Sequence, residues 1–221
     1  MDILIVRHAE SEGNAAGRMQ GRRDLPLSQL GRSQARALGA WLASLGARWD
    51  ATYASPLSRA FQTAEIVTEL AHAPPPLSEA LIQEIAAGQL EGLTREEMAE
   101  RFPTFLGRGI GDLGDFAEFG GESYDEVQSR VQRFAALLEA RHRENGERVL
   151  VVAHGGFNFQ LVKHLICAPV PRVCILKMGN CASTLVRMRE RRARYIGEIV
   201  WHVPVELMGE RSADGNAALF R

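Results

Sequence analysis

Two histidines and an arginine stand where this 221-residue chain turns from apolar to polar. The run Ile3-Leu4-Ile5-Val6 ends in Arg7-His8, and Val149-Leu150-Val151-Val152-Ala153 ends in His154-Gly155-Gly156. Two buried strands that end in histidine place imidazoles at one edge of a sheet, where open α/β folds bind their ligands. Arg7 directly follows four apolar residues, and an arginine at the mouth of a buried strand needs a partner to offset its desolvation. Arg59 falls in or near the first turn of a helix opened by Ser55-Pro56, where the positive end of the macrodipole favours a carboxylate over a cation. A bound anion removes that conflict; a surface arginine reaching into water is the competing account. Two guanidiniums can grip phosphoryl oxygens bidentately, which lysine cannot.

Positive neighbours disfavour imidazolium, so a histidine among these cations stays neutral and can attack phosphorus near neutral pH. His8 is therefore the candidate nucleophile, although a strand-end histidine is more commonly a satisfied structural residue. His154 falls on a strand that can lie about 4.8 Å away, where it would share the charge on a transferring group. Gly155 and Gly156 let backbone amides at a helix N-terminus approach an oxyanion closely.

Positioning these groups falls to alternating strands and helices. Strands are expected over 2–6, 52–54 and 148–153, and helices over 28–45, 56–70 and 156–166. Residues 81–85 read as extended, and 107–121 as a glycine-rich loop. Thr94 with Glu97 and Ser123 with Glu126 are capping boxes, the first opening a helix that stops before Pro103, the second a helix reaching about residue 144. Runs near 182–188 and 194–201 read as a hairpin, so the alternation implies a three-layer α/β sandwich around a mixed sheet.

Composition narrows the function classes. The chain is 46% apolar and 24% charged with a net charge of −1, so a polyanion is not the expected partner and no nucleic acid is implied. The basic run from Arg187 to Arg194 lacks interleaved aromatics and reads as a solvated hairpin. No apolar stretch reaches the roughly 20 residues of a membrane span, and a strand begins at residue 2, so no membrane association and a cytoplasmic location are expected. Cys167, Cys174 and Cys181 lack metal-site spacing and read as small buried or half-buried thiols. His72, His142 and His202 read as surface or interface residues.

Several longer motifs carry a resemblance. Arg7-His8-Ala9-Glu10-Ser11 with Asn14, Gln20-Gly21 followed by Asp24-x-Pro26-Leu27-Ser28, and Ser55-Pro56-Leu57-x-Arg59 with Thr63-Ala64 resemble the motifs of the histidine phosphatase superfamily, also called phosphoglycerate mutase-like. Glu84 with Gly88 and Glu91-Gly92, then Gly120-Gly121-Glu122-Ser123, then Val151 to Gly156 continue the match in order from residue 2 to about 166. The resemblance implies an α/β/α sandwich with a mostly parallel, mixed central sheet, forming one histidine phosphatase domain over 1–204. A tail over 205–221 would then be a lid or disordered. It implies that His8 becomes phosphorylated, that Arg7, Arg59, His154 and Asn14 form the phosphate pocket, and that Ser11, Gln20, Gly21 and Gly155 contribute to substrate binding. Glu84 would be the proton donor, since an alkoxide leaves poorly unless it is protonated. Without the resemblance, Glu79 and Glu91 would be equal candidates. The expected substrate is a small phosphorylated metabolite, handled without metal or cofactor by a monomer or homodimer; a sugar phosphate, a phosphoglycerate, a nucleotide-derived phosphate and a phosphoprotein are all open as the leaving group.

Departures from the family pattern bear on the reaction. Ala9 stands where the family more often has glycine, and its methyl is expected to tighten the pocket. Glycolytic mutases carry arginine directly after the acid and tyrosine two residues later; this chain has Ile85 and Ala87. Gly13 replaces a tryptophan, and the span from Glu84 to His154 is short for a mutase, which covers its site with an insert. An open pocket lets product leave and water enter, so a phosphomonoester hydrolase is preferred over a 2,3-bisphosphoglycerate-dependent phosphoglycerate mutase. Two further alternatives are a metal site built from His8, His154 and Glu84, which leaves both arginines unexplained, and a phospholigand-binding module without turnover.

Overall fold

A computed structural model describes residues 1–106, 114–143, 146–167, 178–191 and 194–204. The strands are β1 (Asp2–Arg7), β2 (Ala51–Ala54), β3 (Leu77–Ser78), β4 (Arg148–Ala153), β5 (Ser183–Arg191) and β6 (Arg194–Val203). The α-helices are α1 (Glu12–Ala15), α2 (Gln29–Ser44), α3 (Ser58–Ala71), α4 (Arg95–Arg101), α5 (Pro103–Leu106), α6 (Tyr124–His142) and α7 (Gly155–Leu165). The strands form one sheet in the order β3-β2-β4-β1-β5-β6. β1, β2, β3 and β4 run parallel, and β5 and β6 add an antiparallel hairpin beside β1.

Strand periodicity divides the core into two layers. Ile3, Ile5, Val149, Val151 and Tyr53 point to one face and pack under α6 and α7 through Val131, Phe134, Phe157 and Leu161. Leu4, Val6, Leu150 and Val152 point to the other, against Leu38 and Leu42 of α2 and Val67 of α3. The central strands are apolar at successive positions because both their faces are covered. The expected three-layer sandwich with a mixed, mostly parallel sheet is the observed architecture.

The helix starts follow local chemistry. Ser28 accepts from the Gly31 amide, and both capping boxes form, Thr94 with Glu97 and Ser123 with Glu126. α3 differs from expectation. It begins at Ser58 with Leu57 in the cap position and no side-chain cap of its own. Ser55 Oγ lies instead 2.8 Å from His154 Nε2, while Asp24 accepts from the Ser58 amide and hydroxyl at 2.6 and 2.8 Å. Residues 81–85 are not a strand either. Ala80–Ile82 form a 3₁₀ turn capped by Glu79, and Arg130 takes the carbonyls of Leu81 and Gln83, so the backbone bonds of this segment go to side chains.

Other expectations are corrected by burial. Phe116 and Phe119 flank a 3₁₀ turn over Ala117–Phe119 and join the core, so this part of the glycine-rich stretch is packed. His142 is buried between Tyr53 Oη and Glu147 rather than lying on the surface. Cys181 is buried but Cys167 is exposed. Cys174, the rest of the glycine-rich stretch over 107–113 and the tail over 205–221 lie outside the described residues. The basic run falls on the β5–β6 hairpin, where Arg187 pairs bidentately with Asp2. No helix among the described residues is long and apolar enough to cross a membrane.

Phe134 is fully buried edge-to-face against Tyr53 and against Phe157 at the start of α7. Replacing it with alanine removes aromatic contacts and leaves a cavity, so Phe134→Ala is expected to lower stability by about 3–5 kcal/mol in urea denaturation. A loss below about 1 kcal/mol would show that this contact does not anchor α6 to the sheet.

Candidate active site

Parallel pairing of β1 with β4 in the register Arg7↔Ala153 brings the next residue of each strand, His8 and His154, out side by side. Their ring centroids are 5.1 Å apart, and both are buried. His8 Nδ1 lies 2.6 Å from the Ala9 carbonyl oxygen. A carbonyl can only accept, so Nδ1 carries the proton and Nε2 keeps its lone pair. Burial first, then the charges of Arg7 and Arg59, hold His8 well below the ordinary imidazole range. Burial does the same to His154, reinforced by His8, Arg59 and Arg7. Ser55 Oγ accepts from the Leu57 amide at 3.3 Å and shares a 2.8 Å hydrogen bond with His154 Nε2, which anchors the second imidazole by one ring nitrogen.

Arg59 is only 1% exposed. Its terminal nitrogens donate to the carbonyls of Arg23 and Gly21 at 2.7 and 2.8 Å, and one terminal nitrogen of Arg7 donates to the Met178 carbonyl at 2.8 Å. Each arginine keeps a donor in reserve. Arg7 Nε, Arg59 Nε and His154 Nδ1 are buried without a hydrogen-bond partner among the described residues. Buried N–H groups are rarely left unpaired, and the two arginine donors belong with the His154 ring nitrogen to one electropositive cluster, which suits an oxyanion. The conflict between Arg59 and its helix dipole is relieved in part by a protein anion, Asp24, seated on the first turn of α3.

Glu84 faces this cluster from the irregular segment after the 3₁₀ turn. Its Oε1 accepts from the amides of Ile85 and Phe157 at 2.9 and 3.0 Å, and its Oε2 from Gly156 at 3.2 Å. The amides at the start of α7 were expected to receive a substrate oxyanion; two of them hold the Glu84 carboxyl instead. Gly156 is required there, since a Cβ would stand 2.8 Å from Glu84 Oε1. Glu79 and Glu91 are braces: Glu79 caps the 3₁₀ turn, and Glu91 accepts from the amides of Arg22 and Ala87.

The remaining candidates divide between the cavity and its support. Arg7, His8, Asn14, Gln20, Gly21, Arg59, Glu84 and Gly155 all border one cavity of about 550 Å³. His154 is buried beside His8, with its ring one layer in from the lining residues. Ser11 is likewise not a lining residue. It is fully buried, caps α1, and lies 3.1 Å from Asn14 Oδ1 and 2.8 Å from the Gln20 side-chain amide. Gly21 contributes its carbonyl to Arg59, and its φ of +52° with Glu91 pressed against it excludes a side chain. The Ala9 methyl does not tighten the pocket: it packs with Leu27 in the core on the α2 side. Gly13 has no room for an indole, because even a Cβ would lie 2.6 Å from the Gln20 side chain.

Asn180 was not expected. Its amide donates to the His8 carbonyl and to Asn14 Oδ1, which leaves the Asn14 amide group as the donor available to a ligand. It lies some 170 residues from both partners, so no local pattern marks it. Among the described residues, no group of three or more His, Cys, Asp or Glu is arranged to hold a metal ion.

Comparison with known proteins identifies the family. A sequence model of the histidine phosphatase superfamily (branch 1) matches residues 3–197. Phosphoserine phosphatase 1 of Hydrogenobacter thermophilus is 33% identical over 190 residues, covering 86% of this chain and 88% of that protein. A 2,3-bisphosphoglycerate-dependent phosphoglycerate mutase of Rhizobium etli is also 33% identical, over 84% of this chain and 90% of its own. A mycobacterial glucosyl-3-phosphoglycerate phosphatase, solved in complex with VO3, superposes with a TM-score of 0.78 at 27% identity, covering 90% of this chain and 96% of that one.

Two outcomes are expected from the cluster. Inorganic phosphate should raise the thermal midpoint in a concentration-dependent way, by filling the unpaired donors of the folded state, while chloride at equal ionic strength does not; equal effects of both salts would rule out a specific anion site. Because folding depresses the His8 and His154 pKa values, the unfolded chain gains protons below about pH 6.5 that the folded chain refuses, so stability falls on acidification. The urea midpoint should drop from about pH 7.5 to about pH 5.5, and drop less in His8→Gln; an unchanged pH slope in that variant would contradict a neutral buried His8.

Proposed function

Since this chain belongs to the histidine phosphatase superfamily, whose members include phosphatases and mutases, we propose that it is a phosphomonoester hydrolase working through a phosphohistidine at His8. The observation that carries the reading is the pair of unpaired buried donors, Arg7 Nε and Arg59 Nε, with the unpaired His154 Nδ1 nitrogen, around a neutral imidazole with an available Nε2. A phosphoryl group entering there finds hydrogen bonds for its oxygens, to which the Asn14 amide adds another. His8 Nε2 attacks phosphorus in line with the ester oxygen. As the P–O bond breaks, the leaving oxygen takes a proton from the Glu84 carboxyl and departs as a neutral alcohol. Water then attacks the phosphohistidine and gives a proton to the Glu84 carboxylate. The P–N bond breaks, and inorganic phosphate leaves with His8 neutral again. The arginines favour the transition state because equatorial charge grows beside donors already in place.

Hydrolysis rather than phosphoryl return is favoured by the wall next to the acid. Ile85 and Ala87 are buried apolar residues bordering the cavity, where the mutase pattern has an arginine and a tyrosine to hold phosphoglycerate. A small phosphorylated metabolite is the proposed substrate.

The test is a product assay with a panel of phosphomonoesters, and with 3-phosphoglycerate primed by 2,3-bisphosphoglycerate, run with chelator present. Free phosphate should be released by the wild type and reduced by at least about a thousandfold in His8→Ala, with acid-labile phosphate recovered on His8 after a rapid quench. Fast formation of 2-phosphoglycerate with little free phosphate would replace hydrolysis by mutase activity. Turnover that survives in His8→Ala would remove His8 as the nucleophile.

A further inference from the structure

We propose that Arg130, locked in place by Glu122, is a positioning residue that sets the Glu84 carboxyl against the leaving oxygen. The proposal rests on the assignment of Glu84 as proton donor. Arg130 lies on α6 with its side chain only 12% exposed, and all five of its N–H donors have acceptors. Nε and one terminal nitrogen form a bidentate pair with Glu122 at 2.7 and 2.9 Å. The other terminal nitrogen donates to the carbonyls of Leu81 and Gln83, and the remaining N–H reaches the Glu84 carbonyl at 3.5 Å. Glu122 in turn accepts from the Ala86 amide at 2.9 Å. The pair thus grips residues 81, 83, 84 and 86, the backbone on either side of the acid.

The same guanidinium also reaches the other support of the carboxyl. It stacks over the Phe157 ring at 5.2 Å, and the Phe157 amide is one of the donors to Glu84 Oε1. A third link runs to the phosphate side. Glu122 pairs with Arg22 at 3.0 Å, and Arg22 lies between Gly21 and Arg23, whose carbonyls hold the Arg59 guanidinium. One largely buried ion pair therefore ties the backbone around the proposed proton donor to the loop that holds the phosphate cradle. The segment has one 3₁₀ turn and the buried side chains of Ile82 and Ile85 to hold it, and the Arg130–Glu122 pair satisfies the backbone between them; a lysine at 130 could not reproduce the planar fork.

The readout is the dependence of kcat/KM on the acidity of the leaving group, which a purely structural role would not move. 4-Nitrophenol departs readily without a proton, whereas phenol needs one. Glu84→Gln is expected to lower kcat/KM for phenyl phosphate about 100-fold and for 4-nitrophenyl phosphate less than about tenfold. Arg130→Met should show the same asymmetry, and Glu84→Gln/Arg130→Met should lose no more than about twofold beyond Glu84→Gln on phenyl phosphate, because both changes remove one function. Arg130→Lys and Glu122→Gln should show the asymmetry in weaker form, and they carry the test if Arg130→Met does not fold by circular dichroism. Equal losses on both esters in the Arg130 and Glu122 variants, or losses that add to those of Glu84→Gln, would overturn the positioning role. Equal losses in Glu84→Gln itself would overturn the acid assignment, and the positioning role with it.

Discussion

Burying the Arg59 guanidinium costs several kcal/mol unless its charge and its hydrogen-bonding directions are met, and much of the surrounding chain is arranged to meet them. The loop after β1 turns its Gly21 and Arg23 carbonyls inward, which Gly21 can do because it tolerates a positive φ and leaves room for Glu91. Asp24 caps the helix that carries Arg59, and the carboxylates of Glu84 and Asp24 stabilise the buried charge. One direction, Nε, is left unpaired, as are Arg7 Nε and His154 Nδ1, and these three atoms are the ones to which the proposed phosphoryl ligand is assigned.

Neutral histidines follow from the same constraint. An imidazole beside two buried guanidiniums cannot gain a proton without adding a third charge to a dry site, so His8 keeps the lone pair that phosphorus needs. Orientation comes from ordinary backbone contacts. The Ala9 carbonyl fixes the His8 tautomer, Ser55 anchors the His154 ring, and Asn180 holds both the His8 carbonyl and the Asn14 side chain. The histidines are adjacent because β1 and β4 pair in one register. That register is held by residues that alternate between two apolar layers, since a one-residue slip would turn each set toward the wrong face.

The acid side is built differently. Glu84 sits on irregular chain, yet its carboxyl receives three backbone amides, two of them from the start of α7. The backbone of its own segment is satisfied by side chains, chiefly Arg130 and Glu122. The proposed nucleophile therefore rides on the sheet, while the proposed acid rides on a segment held by polar contacts and by the burial of Ile82 and Ile85. Ile85 and Ala87 complete that segment as apolar wall, so the region that shapes the leaving-group side is also the one that departs from the mutase pattern.

The sequence by itself determined the layered fold, the strand ends that carry His8 and His154, the two capping boxes, and the candidate set around Arg7, Arg59 and Glu84. All of these are expressed locally, through apolar runs, cap residues and motif spacing, so a linear reading can find them. Tertiary structure decided the partners. Nothing near Ser55 in the chain announces that its hydroxyl goes to a histidine 99 residues away, nor that Asp24 caps α3 in its place. Ser11 looks like a pocket residue in its motif and is a buried cap; Ala9 looks like a pocket methyl and is core. Whether α7 offers its amides to a substrate or to Glu84 depends on where residues 81–86 pack, and that is set by a guanidinium more than forty residues downstream. Hydrogen bonds between distant segments leave no periodicity behind, and only the folded chain reveals which donors are satisfied and which remain for a ligand.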